Sequence, residues 1–104
     1  MRVDETRLTA TYIMASRKYG TLYVGSALDL IARVSDHKNG AGSKFVAKYD
    51  VTRLVWYQPF LLVTEARERE YEIKKFRREW KVNLIERDNP HWLDLFPVLS
   101  GRAA

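Results

Sequence analysis

The sequence predicts a mixed α/β (α+β) fold with elements in the order ββαβα. Three observations predict it. Two short runs of β-branched, aromatic and apolar residues, Thr11 to Ala15 and Thr21 to Gly25, flank a short turn with a glycine at its end. A third such run, Val51 to Tyr57, is rich in Val, Leu, Trp and Tyr and is closed by Pro59. Between and after these runs lie two stretches whose apolar residues recur at helical spacing.

Residues 1–9 read as a tail or fraying edge. Thr11 to Ala15 and Thr21 to Gly25 read as strands of a β-hairpin turning over Ser16-Arg17-Lys18-Tyr19-Gly20. Alternation puts Tyr12 and Met14 on one face, with Leu22 and Val24 opposite to Tyr23. A loop centred on Arg17-Lys18 would set Tyr12 directly across from Tyr23, with Cβ atoms about 4.5–5.5 Å apart. Ser26 then reads as the cap of a helix over Leu28 to Lys38, whose apolar stripe is Leu30, Ile31 and Val34. Asp29, Arg33 and His37 line another face. Asn39-Gly40-Ala41-Gly42 stops that helix.

Ser43 to Tyr49 is short and basic, one helical turn or two. Thr64 to about Trp80 reads as the longest helix, with Ala66, Ile73, Phe76 and Trp80 as its stripe. A further short helix over residues 81–88 is broken by Asn89-Pro90. His91 to Leu99 is an apolar tail that packs through Trp92, Leu95 and Phe96. Trp56, Trp80 and Trp92 all lie in apolar runs or stripes and read as core. With no repeat, low-complexity tract or linker, the expectation is one domain over 1–104 with its core at about 11–96.

Composition narrows the function classes. The chain has 104 residues, 46% apolar and 30% charged, as a globular protein does. It has no apolar run long enough to span a membrane. Met1-Arg2-Val3-Asp4-Glu5 lacks the apolar segment of a secretory signal. With no cysteine, disulfides and thiolate metal sites are excluded, and a cytoplasmic location is expected. A net charge of +5 favours polyanionic partners. The histidines stand 54 positions apart, so no His-based zinc motif exists. Neither a phosphate-binding Gly-rich loop with Lys-Ser/Thr nor a Gly-x-Ser-x-Gly elbow is found.

The chemistry concentrates early. Tyr12, Tyr23, Arg33 and His37 fall within 26 residues, and Glu70 lies downstream in a basic helix. A base, a cation for developing charge and a metal ligand are what attack on a phosphodiester needs. Each has a bland alternative. The tyrosines suit half-buried strand positions, Arg33 can pair with Asp29, and His37 can sit at a helix C-terminus. Glu70 can pair with Lys74. On the helix Glu70 lies nearer the apolar stripe than Glu68, Glu72 or Glu79. Lys74, Lys75, Arg77, Arg78 and Lys81, joined by Lys44 and Lys48, suit phosphate contacts or a solvated face.

These residues carry a resemblance. Tyr12, then Tyr23-Val24-Gly25 at 11 positions, Arg33 at 10 more, His37 at 4 more, and Glu70 ahead of Ile73-Lys74-Lys75-Phe76-Arg77-Arg78 are similar to the GIY-YIG nuclease superfamily. Ala10-Thr11 replaces the Gly-Ile of its first motif. Lys48-Tyr49-Asp50-Val51, Leu54-Val55-Trp56-Tyr57 and Asn89-Pro90-His91-Trp92-Leu93-Asp94-Leu95 resemble its small stand-alone bacterial branch.

The resemblance implies a small three-stranded antiparallel sheet flanked by helices. It implies a metal-dependent endonuclease acting on DNA, with structure-specific cleavage and a role in repair or recombination as expectations. Tyr23 would activate water with help from Tyr12 or His37, Arg33 would balance charge, and Glu70 would bind a single Mg²⁺ or Mn²⁺. Asn89 would be the polar partner, with Asn83 as the alternative. A catalytically inactive nucleic-acid-binding module, or a structural protein on the same scaffold, are the competing readings. RNA as substrate, and monomer against homodimer, stay open.

Overall fold

The computed structural model describes residues 7–101. Its centre is β1 (Ala10–Ala15), buried along its whole length. A strand apolar on both faces must be covered on both faces. Helices cover both faces, and in the sheet it sits between β2 (Leu22–Ala27) and β3 (Arg53–Pro59), in the order β2-β1-β3, antiparallel throughout.

Side-chain alternation divides the core in two. Tyr12 and Met14 pack with Leu30 and Val34 of α1 (Leu30–Lys38), Val46 of α2 (Lys44–Tyr49) and Phe96 of α5 (Phe96–Leu99). Ile13 and Ala15 point the other way. They meet Ile73 of α3 (Val63–Lys74), Leu84 and Ile85 of α4 (Arg78–Asp88), and Trp92. The expected sheet with flanking helices is thus present, and Trp56, Trp92 and Phe96 are core as expected.

Several expectations need correction. Leu8 and Thr9 are not a fraying tail: the Leu8 carbonyl accepts from Leu30 N–H, the Thr9 hydroxyl donates to the Leu28 carbonyl, and the Thr9 carbonyl accepts from Phe60 N–H. Residues 1–6 of that expected tail lie outside the described residues. Ser26 does not cap α1. β2 runs on to Ala27, which pairs with Ala10, and Asp29 is the cap, accepting from Ala32 N–H at 3.2 Å.

The long helix divides at residues 75–77, with Arg77 extended, and the second part runs unbroken through residue 88. One continuous helix over 63–88 would be about 39 Å long, against roughly 20 Å for these strands. The break folds Leu84 and Ile85 back onto the sheet. It also leaves Trp80 half exposed, at 48%, rather than in the core.

β3 carries a bulge. Ile13 pairs with Trp56 but Met14 pairs with Leu54, so Val55 is the extra residue. Val55 and Trp56 consequently face the same core.

Candidate active site

Six residues, Ser16 to Thr21, connect β1 to β2, closed by Ser16 N–H to the Thr21 carbonyl at 3.0 Å. This sets Tyr12 opposite Gly25 and Tyr23 opposite Met14. The tyrosines are diagonal neighbours on one face, not the direct pair that a loop centred on Arg17-Lys18 would give. The rings still meet, with centroids 6.2 Å apart.

Gly25 makes this possible. A Cβ there would lie 2.7 Å from Tyr12 Oη and 3.0 Å from the Tyr23 ring. The missing side chain is the space the Tyr12 phenol fills.

His37 enters the same cluster from the last turn of α1. Its Nε2 shares a 3.0 Å hydrogen bond with Tyr12 Oη, and its ring stands edge-on to Tyr23 at 5.5 Å. Only 2% of His37 is exposed, so it is not the surface histidine of the bland reading. Burial, reinforced by the Arg33 charge, lowers its pKa, so the imidazole is neutral at pH 7. Its Nδ1 is buried without a protein partner, against the loop that passes at Gly42.

Tyr12 is fully buried. Burial and the neighbouring Tyr23 push its pKa well above the ordinary phenol value, while Arg33 works in the opposite direction. Tyr12 is therefore held as a neutral phenol. Tyr23 is only half buried and also packs on Phe45 of α2 at 6.2 Å. Arg33, one turn before His37, is exposed, with its charge acting on both Tyr12 and His37. The result is graded access, with Tyr12 and His37 inside, Tyr23 at the boundary and Arg33 in water.

Glu70 arrives from the other layer. α3 packs behind the sheet, and Glu70 meets the edge strand at Ser26, whose hydroxyl donates to Oε1. Lys74 donates to Oε2, so the i,i+4 pair foreseen as the bland reading is formed as well. The Glu70 charge still reaches Tyr12, as the smallest of the influences on that phenol. Along this edge runs a groove of about 400 Å³ lined by Leu22, Tyr23, Val24, Phe45, Lys74 and Lys81.

The family model described as the GIY-YIG catalytic domain matches residues 9–83. The chain belongs to the GIY-YIG family. This is a family of nucleases. UPF0213 proteins of Staphylococcus epidermidis and Staphylococcus saprophyticus are similar to it. The first is 40% identical over 67 residues, covering 64% of this chain and 82% of that protein. The second is 43% identical over 68 residues, covering 65% and 83%. The solution NMR structure of the UPF0213 protein BH0048 from Bacillus halodurans shares the fold. Its TM-score is 0.52 at 28% identity, covering 86% of this chain and 95% of that one.

The GIY-YIG match covers every residue of the aromatic cluster together with Glu70. Asn89 lies beyond it, and the structure does not bring Asn89 to the tyrosines. Its amide donates to the Val55 carbonyl at the β3 bulge (3.0 Å) and to Leu93 (2.9 Å), and its oxygen accepts from Leu93 N–H at 3.0 Å. Asn89 therefore satisfies a buried backbone group at the opposite edge of the sheet from β2. Asn83, the alternative, is exposed on α4.

The basic residues are dispersed. Lys44 and Lys48 are exposed on α2, the helix that carries Phe45 to Tyr23. Lys75 reaches over the Tyr71 ring, and Arg77 lies over Trp80 while pairing with Glu79. Arg78 is structural, donating to the carbonyls of Tyr19 and Gly20 at 2.9 and 2.6 Å and so fixing the hairpin turn.

Sequence reasoning missed Phe45 as the outer wall of the tyrosine cluster. It read Gly25 as part of a motif without its steric task, and Ser26 as a cap. A glycine facing a tyrosine across a hairpin was the available signal for Gly25.

For a divalent metal the donor set is sparse. Among the described residues no three His, Cys, Asp or Glu cluster together. Glu70 offers carboxylate oxygens, one bonded by Ser26 and the other by Lys74, a residue that lines the groove. A hard cation that takes most of its shell from water and phosphate fits one such carboxylate. Among the described residues no helix is long and apolar enough to cross a membrane.

Proposed function

We propose that this protein is an endonuclease that uses Mg²⁺ or Mn²⁺ to hydrolyse phosphodiester bonds in DNA, reading the shape of its substrate rather than its base sequence. The observation that carries this is the gathering of Tyr12, Tyr23 and His37 into one cluster, with the charge of Arg33 acting on it.

Each residue does what its environment allows. Tyr23 is the accessible phenol, so it takes a proton from the attacking water. The phenolate form of Tyr23 is the proton acceptor. Tyr12 stays neutral and orients Tyr23 through ring contact. His37, also neutral, holds the Tyr12 hydroxyl. Arg33 has a planar fork in water at the mouth of the site, suited to the oxygens of a phosphoryl group gaining charge. Glu70 holds the metal, with Ser26 steadying the carboxylate. When bound, the metal supplies positive charge to the departing oxygen.

DNA as the polyanion is supported by the net charge of +5 and by exposed Lys44 and Lys48 on the helix that walls the cluster. No side chain of the cluster is presented as a base reader, which favours recognition by backbone and shape.

The test is single-turnover cleavage by Tyr23→Phe and Arg33→Ala. Loss of a proton acceptor costs about 10²–10⁴-fold, and loss of a charge-stabilising group about 10²–10³-fold. Unchanged rates in both variants would remove the assigned roles. Binding without cleavage by the wild type, under any divalent metal, would instead make this a nucleic-acid-binding module.

A further inference from the structure

Both oxygens of Glu70 are engaged by protein side chains, of different kinds. Ser26 sits on β2, 44 positions earlier, and its backbone is paired to Thr11. Its hydroxyl is therefore delivered from rigid support. Lys74 lies one turn along the same helix as Glu70, and its side chain is 52% exposed. It is tethered only by the ion pair and is free to leave. The same lysine lines the groove that contains Tyr23 and Lys81. The ammonium thus borders both the carboxylate and the place where a phosphate would lie.

We propose that Ser26 is a positioning residue that fixes Glu70 for a divalent cation, and that Lys74 is a resident cation which the metal displaces into the groove beside Tyr23, where it meets substrate phosphate. The inference rests on the reading of Glu70 as the metal ligand and adds what controls that ligand.

The coupling is electrostatic. A single carboxylate binds a hard cation weakly, and a mobile one more weakly still. A hydroxyl held on a strand removes that mobility, as partners of metal-ligating carboxylates do. Lys74 neutralises Glu70 until the metal arrives, and competes with it for Oε2. Once displaced, it adds a positive charge to a groove that already holds Lys81. Metal and phosphate then favour each other, and the coupling is reciprocal.

The experiment measures Mn²⁺ affinity of the full chain without DNA, by the electron paramagnetic resonance signal of free Mn²⁺. Ser26→Ala is expected to weaken binding roughly tenfold or more, while Ser26→Thr, which keeps the hydroxyl, restores it. Lys74→Met is expected to tighten binding roughly twofold, the factor that corresponds to an exposed helical ion pair. Unchanged affinity in Ser26→Ala, or equal or weaker affinity in Lys74→Met, overturns the inference while leaving Glu70 as ligand. Glu70→Gln separates the two levels. If it binds Mn²⁺ as the wild type does, the metal assignment itself fails, and the inference with it.

Discussion

The hydroxyl of Tyr12 meets Nε2 of His37 at 3.0 Å, across 25 positions of sequence, with both side chains withdrawn from water. A buried phenol and imidazole joined in this way are a held pair, and Arg33 also hydrogen-bonds the phenol. Their burial determines which of the clustered groups can reach a substrate.

His37 makes stability depend on pH. Its folded-state pKa lies below the ordinary 6.5 because burial opposes the cation. Below that pH the unfolded chain binds the proton more readily than the folded one. Stability is therefore complete above about pH 6.5 and falls as the pH drops through the folded value. Urea denaturation between pH 8 and 5, with imidazole NMR titration, is expected to show both effects. A His37 titration midpoint above 6.5 would reverse the sign.

Gly25→Ala is expected to destabilise the fold by about 1–3 kcal/mol, because the added methyl overlaps Tyr12 and Tyr23. The close contacts are to Oη and the ring carbon bearing it, at 2.7 and 2.8 Å. The obstacle is the end of a buried phenol and not a flexible surface chain. Displacing that phenol also breaks its bond to His37. Cleavage is therefore expected to fall more than stability does, which chemical denaturation and a cleavage assay on one preparation measure together.

Tyr12→Phe and Tyr23→Phe are expected to separate structure from chemistry. Removing the Tyr12 hydroxyl leaves His37 with no partner on either nitrogen and costs about 1–3 kcal/mol. Tyr23 is half buried, and its hydroxyl loss is expected to change stability by no more than about 0.5 kcal/mol while abolishing most cleavage. Equal losses of stability in the two variants would contradict the graded access of the site.

Lys48→Ala and Arg78→Ala are expected to differ in kind. Lys48 is exposed, so its loss leaves the melting curve unchanged and lowers the salt slope of DNA binding by about 1. Arg78 holds two turn carbonyls, and its loss costs about 1–3 kcal/mol. Titrations at several salt concentrations, beside thermal melts, distinguish them.

The strands and the ββαβα element order were legible because β-branched, aromatic and apolar residues run together in Thr11 to Ala15 and Val51 to Tyr57. The closeness of Tyr12 and Tyr23 was legible from the hairpin. Its register was not, because Tyr19 adopts a left-handed conformation (φ 60°) inside a six-residue loop, which no glycine at that position announces. The division of the long helix at residues 75–77 has no glycine or proline to mark it. It answers to the length of the sheet, a property of the assembled fold. Asn89 was drawn to the site by motif likeness alone. Its real partner, the Val55 carbonyl, exists only because β3 bulges. Ser26 looked like a helix cap because the extension of β2 depends on pairing with Ala10, which local sequence does not encode.

The most direct measurement is cleavage of labelled duplex, single-stranded, flap and four-way DNA by the purified chain, with Mg²⁺, Mn²⁺ or chelator, beside Glu70→Gln. The account predicts products that require the metal, favour branched DNA and disappear in Glu70→Gln. Products that persist in chelator, or at full rate in Glu70→Gln, would contradict it.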